Sequence, residues 1–326
     1  MSSSLSKEDK EHFDREGYVV VRGAFDPDRW ITPLLKEYEE VLDRLANELF
    51  AEGRLSQTYA HLPFSERFIE VCAETNETHH QFFDFSLPQG NVRPDTPMWN
   101  GQAVFDMLRC PKLLNLVEGF IGSEIYSNPV QHVRIRVPES REPRDPNTGA
   151  LKLGTTPWHQ DNGVVLPEAD DTQILTVWFP LRRATVEHGC LQVVPKSHLR
   201  GLLTHCPGGP SGLQVPEKVA PRETAIALPM NPGDVLFLNK LTLHNSTPNT
   251  SNEIRISFDL RYNPIGQATG RGAFPGFVVR SEENPDSALQ EQSEWERLWI
   301  EARAHLAKVE YSAPFNRWNA DSPVCA

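Results

Sequence analysis

No stretch of this chain offers the roughly 18 uninterrupted apolar residues that a membrane-crossing helix needs. Basic residues are in deficit: 32 Lys and Arg stand against 44 Asp and Glu, a formal net charge of −12. Non-specific nucleic-acid and anionic-membrane binding both need basic surface, so neither partner is expected. Cysteine is scarce and forms no CxxC pair. Cys72, Cys110, Cys190, Cys206 and Cys325 are odd in number and scattered, which argues against a disulfide framework and for a reducing cytoplasm. The opening residues lack the apolar stretch of a secretion signal. Internal repeats and low-complexity segments are also missing. What is present, 39% hydrophobic and 23% charged residues over 326 positions, describes a soluble globular protein.

The texture changes along the chain. Residues 5–17 read as a short helix closed by Gly17, followed by a β-branched strand at 18–22. From residue 30 to 53, Leu34, Leu35, Tyr38, Val41, Leu42, Leu45 and Leu49 recur every three or four positions, the period of an amphipathic helix. A second helix is expected at 111–121 and a third at 293–308, whose stripe of Trp295, Leu298, Trp299, Ala302 and Leu306 must dock on something. Between residues 123 and 265 short apolar or alternating runs are separated by Pro, Gly and Asn turns, as in a jelly roll. Strands are expected at 130–137, 155–161, 173–181, 190–194, 224–228, 234–238 and 253–262. The fold class is therefore mainly β with α support: a double-stranded β-helix of the jelly-roll or cupin kind, flanked by helices. One domain over residues 1–326 is expected, with supporting helices in 1–122, the core in 123–265 and a helical extension in 266–326. Two loops, 138–154 and 204–222, are candidate lids.

Three residues carry the chemistry. In Trp158-His159-Gln160-Asp161, the histidine and the aspartate lie two apart, so in extended chain they point the same way. His244 follows 83 residues after Asp161. Two imidazoles and one carboxylate on one face of a metal are the ligand set of non-haem Fe(II) oxygenases, with the remaining positions open. Arg255, eleven residues beyond His244, fits the far carboxylate of a 2-oxo acid bound at such a metal, because a guanidinium binds carboxylate bidentately and keeps its charge. Ser246 is a second candidate donor to that carboxylate. On strand 253–262, Arg255, Ser257, Asp259 and Arg261 alternate with Ile254, Ile256, Phe258, Leu260 and Tyr262. If Arg255 binds the co-substrate, the polar face lines the interior and the apolar face packs outward on the helices.

These pieces, with Ile174-Leu175-Thr176-Val177-Trp178-Phe179-Pro180-Leu181, His188-Gly189-Cys190-Leu191-Gln192-Val193-Val194-Pro195, Pro232-Gly233-Asp234-Val235 and His244-Asn245-Ser246, resemble the phytanoyl-CoA dioxygenase family. The resemblance runs from about residue 10 to 265. It implies Fe(II) held by His159, Asp161 and His244, 2-oxoglutarate contacted by Arg255 and Ser246 with Trp178 beside it, and O2 as oxidant. It also implies a dioxygenase that hydroxylates, or otherwise oxidises, a C–H bond of a small molecule and releases succinate and CO2.

The substrate is not legible. Gln131 and Gln160 are candidate substrate contacts, Gln131 by similarity to ectoine hydroxylase. On strand 130–137 Gln131, Val133 and Ile135 share one face; His132, Arg134 and Arg136 share the other, where the arginines either meet an anionic substrate or, the preferred reading, form exposed ion pairs. His79 and His80 are not read as metal ligands, and the aromatic cluster that follows them, Phe82, Phe83 and Phe85, is read as packing. The runner-up function is a cupin-like metal-dependent hydrolase, lyase or isomerase that uses no 2-oxoglutarate. A monomer or homodimer is expected, with small molecules as partners.

Overall fold

Two antiparallel sheets face each other across the interior, and the amino-terminal helices cover the outer face of the larger one. The computed structural model describes residues 4–208, 212–308 and 317–325. In chain order come α1 (Lys7–Glu16), β1 (Tyr18–Val21), α2 (Pro27–Ala51), α3 (Phe64–Thr75), α4 (Gln102–Leu108), α5 (Pro111–Ile121), β2 (Ile125–Ser127) and β3 (His132–Arg136). Then follow β4 (Leu175–Pro180), β5 (Leu191–Val193), β6 (Ile226–Leu228), β7 (Val235–Asn239), β8 (His244–Ser246), β9 (Arg255–Pro264), β10 (Phe277–Arg280) and α6 (Gln292–Leu306). The large sheet runs β1-β7-β4-β9-β2-β10, and β3 also pairs with β9. The small sheet runs β6-β5-β8. This is the expected jelly-roll architecture.

Local chemistry explains the supporting elements. Gly17, at φ 84°, ends α1 by sending its N–H to the Phe13 carbonyl at 2.8 Å, a left-handed turn that suits glycine and aims the chain into β1. The α2 N-terminus is capped by Asp26, whose side chain accepts from the Asp28 N–H, and Pro27 supplies a preset first turn. The expected stripe of α2 is buried at Leu34, Tyr38, Val41, Leu42, Leu45 and Leu49.

The alternation on β9 resolves as the site argument required. Ile254, Ile256, Phe258, Leu260 and Tyr262 are fully buried in the main core. Phe258 packs against Phe85, Phe179 and Tyr38, and the Tyr262 hydroxyl donates to the Leu108 carbonyl at 2.9 Å. Arg255, Asp259 and Arg261 face inward instead and line the cavity.

Several expectations need correction. The strand expected at 155–161 makes only one bridge, at His159, before a 3-10 turn at Asp161–Val164. The short elements α3, α4, β2, β8 and β10 escaped the reading because three to seven residues, or a helix with scattered polar positions, give too little periodicity. β1 and β10, from outside the expected core span, pair into the large sheet through β7 and β2.

The carboxyl-terminal helix docks as its tryptophans demand. Trp295 stacks on Phe105 with centroids 5.6 Å apart, and Trp299 meets Phe274 edge-on at 5.6 Å. Both are fully buried. Trp299→Ala is therefore expected to lower unfolding free energy by about 3–5 kcal/mol, the usual loss for a large buried aromatic, measured by denaturant titration.

Candidate metal centre and active site

His159 and His244 are brought side by side by the backbone itself. The two residues exchange N–H···O=C bonds of 3.0 Å in each direction, which extends the small sheet by one antiparallel bridge. Each ring donates its Nδ1–H to a carbonyl two residues earlier in the chain: His159 to Pro157 at 2.8 Å, His244 to Thr242 at 2.9 Å. That fixes the tautomer and leaves each Nε2 lone pair for a metal. Asp161 opens the 3-10 turn, and its Oδ1 lies 3.9 Å from His159 Nε2 and 4.0 Å from His244 Nε2. The donor atoms all fall within 4.8 Å of one another, and they form the group of metal-ligating type found among the described residues.

The electrostatics suit a cation. Burial, then the neighbouring His244, depresses His159 to about 3, so its ring is neutral at physiological pH. Burial alone would raise the Asp161 carboxyl, but Arg261 and the two imidazoles hold it below the usual carboxylate range. Asp161 also accepts from the Thr176 hydroxyl and from Arg261, whose guanidinium reaches Asp259 at 3.5 Å. Two imidazole nitrogens and one ionised carboxylate oxygen, preset by their own hydrogen bonds, are a fitting donor set for Fe(II).

The turn behind Asp161 is braced from outside. A Cβ on Gly163 would lie 2.2 Å from the His205 ring, so only glycine lets the turn close there. His205 accepts from the Gln160 N–H at 2.9 Å, and Trp318 stacks on it at 5.3 Å while donating its indole N–H to the Gly163 carbonyl. Arg317 pairs with Asp170 at 2.6 Å. Cys325, further along the same tail, is disulfide-bonded to Cys206 across 119 residues. The expectation of no disulfide framework needs this correction: Cys72, Cys110 and Cys190 are free and buried, but the other two form one bridge that staples the tail. An odd count conceals one bridge as readily as none. Closing so long a loop restricts the unfolded chain, so Cys325→Ser should cost about 2–4 kcal/mol. Thermal melts with and without reductant check this: the wild type should lose stability in reductant and the variant should not respond.

Between the sheets lies a cavity of about 400 Å³ that opens onto the triad. Trp178, Thr176 and Leu238 of the large sheet face Leu191 and His244 of the small one. Arg255 is 1% exposed, with its Nη1 donating to the Ser257 hydroxyl at 2.6 Å and its guanidinium 5.9 Å from the Trp178 ring. No carboxylate of the described residues lies within ion-pairing distance of it, and Arg136 sits directly across the strand pair. Burial, then Arg134, lowers its pKa to about 10, still cationic at neutral pH.

Not every expected contact reaches this cavity. Ser246 accepts from the Thr156 N–H at 3.0 Å and lines a separate small pocket beside Arg136; Ser257 is the hydroxyl on Arg255. Gln160 points away, with its amide spent on the Gly201 and Leu241 carbonyls and the Leu203 N–H. Gln131 is buried beside Ser127, outside the lining. The strand parity was right but the face was misassigned. Val133 and Ile135 are core, whereas His132 and Arg134 line the cavity rather than forming exposed ion pairs. His132 donates to Asp84 at 2.8 Å, and Phe83 and Phe85, either side of that aspartate, are core. Of the two candidate lids, residues 138–154 border only the small pocket, and Gly212 and Leu213 represent the second at the main cavity; residues 209–211 lie outside the described residues.

The profile of the phytanoyl-CoA dioxygenase (PhyH) family matches residues 13–257. This chain belongs to that family. Its cofactors are Fe(II) and, as co-substrates, 2-oxoglutarate and O2, and the donor set described above fits the iron. Among curated relatives, a 1-deoxypentalenic acid 11-beta-hydroxylase of Streptomyces exfoliatus is 25% identical over 271 residues, 80% of this chain and 82% of that one. A probable phytanoyl-CoA dioxygenase of Caenorhabditis elegans is 22% identical, covering 80% and 76%. The solved non-heme monooxygenase ThoJ, in its apo form, shares the fold with a TM-score of 0.58 at 16% identity, over 91% of this chain and 96% of that one. EvdO2 from Micromonospora carbonacea var. aurantiaca gives a TM-score of 0.51 at 18% identity, over 88% and 98%. Among the described residues no helix is long and apolar enough to cross a membrane.

Proposed function

We propose that this chain hydroxylates an unactivated C–H bond of a small molecule, as one catalytic domain, with His159, Asp161 and His244 as the iron ligands. The observation that carries the reading is Arg255, a buried cation without a carboxylate partner in the cavity that the triad opens onto. A guanidinium so placed neutralises the far carboxylate of 2-oxoglutarate, with Ser257 and the Trp178 face fixing its orientation. When bound, iron and 2-oxoglutarate supply the oxidant, and the protein supplies geometry and a water-poor chamber.

The protein's own tasks follow from the residues. Thr176 and Arg261 hold Asp161 so that its carboxylate stays ionised and aimed at the metal. The backbone carbonyls of Pro157 and Thr242 orient both imidazoles with Nε2 toward the metal position. Leu191, Leu213 and Leu238 keep bulk water from the reacting carbon. Hydroxylation is the preferred outcome because a relative covering four-fifths of the chain is named a hydroxylase.

The test is a metabolite screen with purified protein, Fe(II) and 2-oxoglutarate in air. Substrate-stimulated succinate, matched by a product heavier by one oxygen atom, is the expected result. Turnover of a substrate with no demand for 2-oxoglutarate would favour the metal-dependent hydrolase, lyase or isomerase reading instead.

A further inference from the structure

The cavity and its walls hold more arginine than the proposed co-substrate can use. Arg261 is committed to Asp161 and Asp259. Arg136 donates to the Gly154 carbonyl and to the Thr156 hydroxyl, and so belongs to the wall beside the small pocket. Arg255 has the co-substrate. Arg134 remains.

It stands opposite Ser257 in the β3–β9 register, lines the main cavity, and is partly exposed there. Among the described residues its guanidinium has neither an ion pair nor a hydrogen bond. The groups it acts on include Arg255, Arg136, His80 and His132, none of which carries negative charge, and the Asp259 carboxylate of the same lining lies 3.5 Å from Arg261. The two imidazoles are kept neutral by burial foremost, and Arg134 adds to that. His132 is further tied to Asp84, whose other oxygen takes backbone N–H groups of Ser86 and Val133 at 3.3 Å, so that carboxylate is occupied.

We propose that Arg134 is the anchor for a carboxylate on the substrate, so that the enzyme's substrate class is a compact acid with an apolar body. The assignment rests on the 2-oxoglutarate reading of Arg255. A cation held in a partly desolvated cavity, near two arginines and two neutral imidazoles, is worth most when an anion completes it. The rest of the lining sets the body of the ligand. Leu87, Pro88, Val130, Val164, Leu191 and Leu213 offer apolar walls, and about 400 Å³ shared with 2-oxoglutarate admits only a small skeleton. A single guanidinium, with no α-helix N-terminus among the lining residues, suits a carboxylate better than a phosphate ester.

The experiment is calorimetric binding to the anaerobic Fe(II) enzyme with 2-oxoglutarate, using hexanoate, decanoate and cyclohexanecarboxylate against their primary amides. Wild-type binding of 2-oxoglutarate is measured first. Its absence would overturn the co-substrate reading and, with it, the assignment built on it. With 2-oxoglutarate bound, at least one acid is expected to bind about tenfold or more tighter than its amide, the scale of one charged hydrogen bond. Arg134→Gln should abolish that preference while 2-oxoglutarate affinity stays within about threefold, and Arg134→Lys should restore part of it. Three results would each overturn the acid site alone. No acid outbinds its amide in the wild type; or the preference survives in Arg134→Gln; or that variant loses 2-oxoglutarate as severely as the acids, which would make Arg134 a second co-substrate cation.

Discussion

Asp161→Ala is expected to remove Fe(II) binding altogether at concentrations that saturate the wild type. Of the three donors, this one carries the charge. Losing a hydrogen bond to a ligand costs roughly 10–100-fold in metal affinity, so loss of the anionic ligand itself should exceed about 100-fold. The variant has a second consequence that separates it from a simple ligand deletion. Arg261, buried at 3% exposure, loses its shorter carboxylate contact and keeps only Asp259 at 3.5 Å. Leaving a buried cation half-paired costs several kcal/mol, so the metal-free variant should melt below the metal-free wild type. Metal should stabilise the wild type by about 2.7 kcal/mol at 100 times the dissociation constant and leave the variant unmoved. Metal content by elemental analysis and melts with and without Fe(II) under anaerobic conditions read both effects. An Asp161→Ala protein that still gains stability from Fe(II) would remove Asp161 from the ligand set.

Much of this site could be read from order and parity alone, because its chemistry is concentrated in residues whose spacing is fixed by extended chain. His159 and Asp161 two apart, and the alternation through Arg255, Ser257, Asp259 and Arg261, needed no tertiary information. The assignment of the polar face of β9 to the interior followed from a single commitment, that Arg255 binds a ligand. The same logic was not carried across to β3. His132, Arg134 and Arg136 pair in register with Asp259, Ser257 and Arg255, so whichever way β9 turns its polar face, β3 must turn its own. Treating those arginines as solvent was a default about charge that the register overrules. Other features were beyond sequence reasoning. Nothing local links Cys206 to Cys325, or Asp84 to His132 48 positions on. Gln160, a candidate substrate contact, sits between two ligands in the chain, yet its amide is turned onto the Gly201 and Leu241 carbonyls.

Arg255 offers the second large effect, and its two consequences should run in opposite directions. The proposed contact to 2-oxoglutarate is a buried charged pair, so Arg255→Met should weaken co-substrate binding by about 2–5 kcal/mol, or roughly 30-fold to a few thousand-fold. Stability of the ligand-free protein should not follow. Without a ligand, Arg255 is a buried cation directly across the strand pair from Arg136, with Arg134 also pressing on it and only the Ser257 hydroxyl as a bonded partner. Like charges opposite each other in a sheet are destabilising, and an apolar side chain of similar length keeps the packing beside Trp178 while removing that repulsion. The metal-free, ligand-free Met variant is therefore expected to melt at or above the wild type. With Fe(II) already bound, adding 2-oxoglutarate should raise the wild-type midpoint further and leave that of the variant nearly unchanged. Arg261→Met is the matched control: it strips Asp161 and Asp259 of their cation, so it should destabilise the ligand-free protein while leaving the 2-oxoglutarate carboxylate site intact. If Arg255→Met melts several degrees lower and binds 2-oxoglutarate as the wild type does, Arg255 is a structural cation and the co-substrate must be held elsewhere. The pairing of lost affinity with preserved stability is what marks a residue kept for its ligand rather than for the fold.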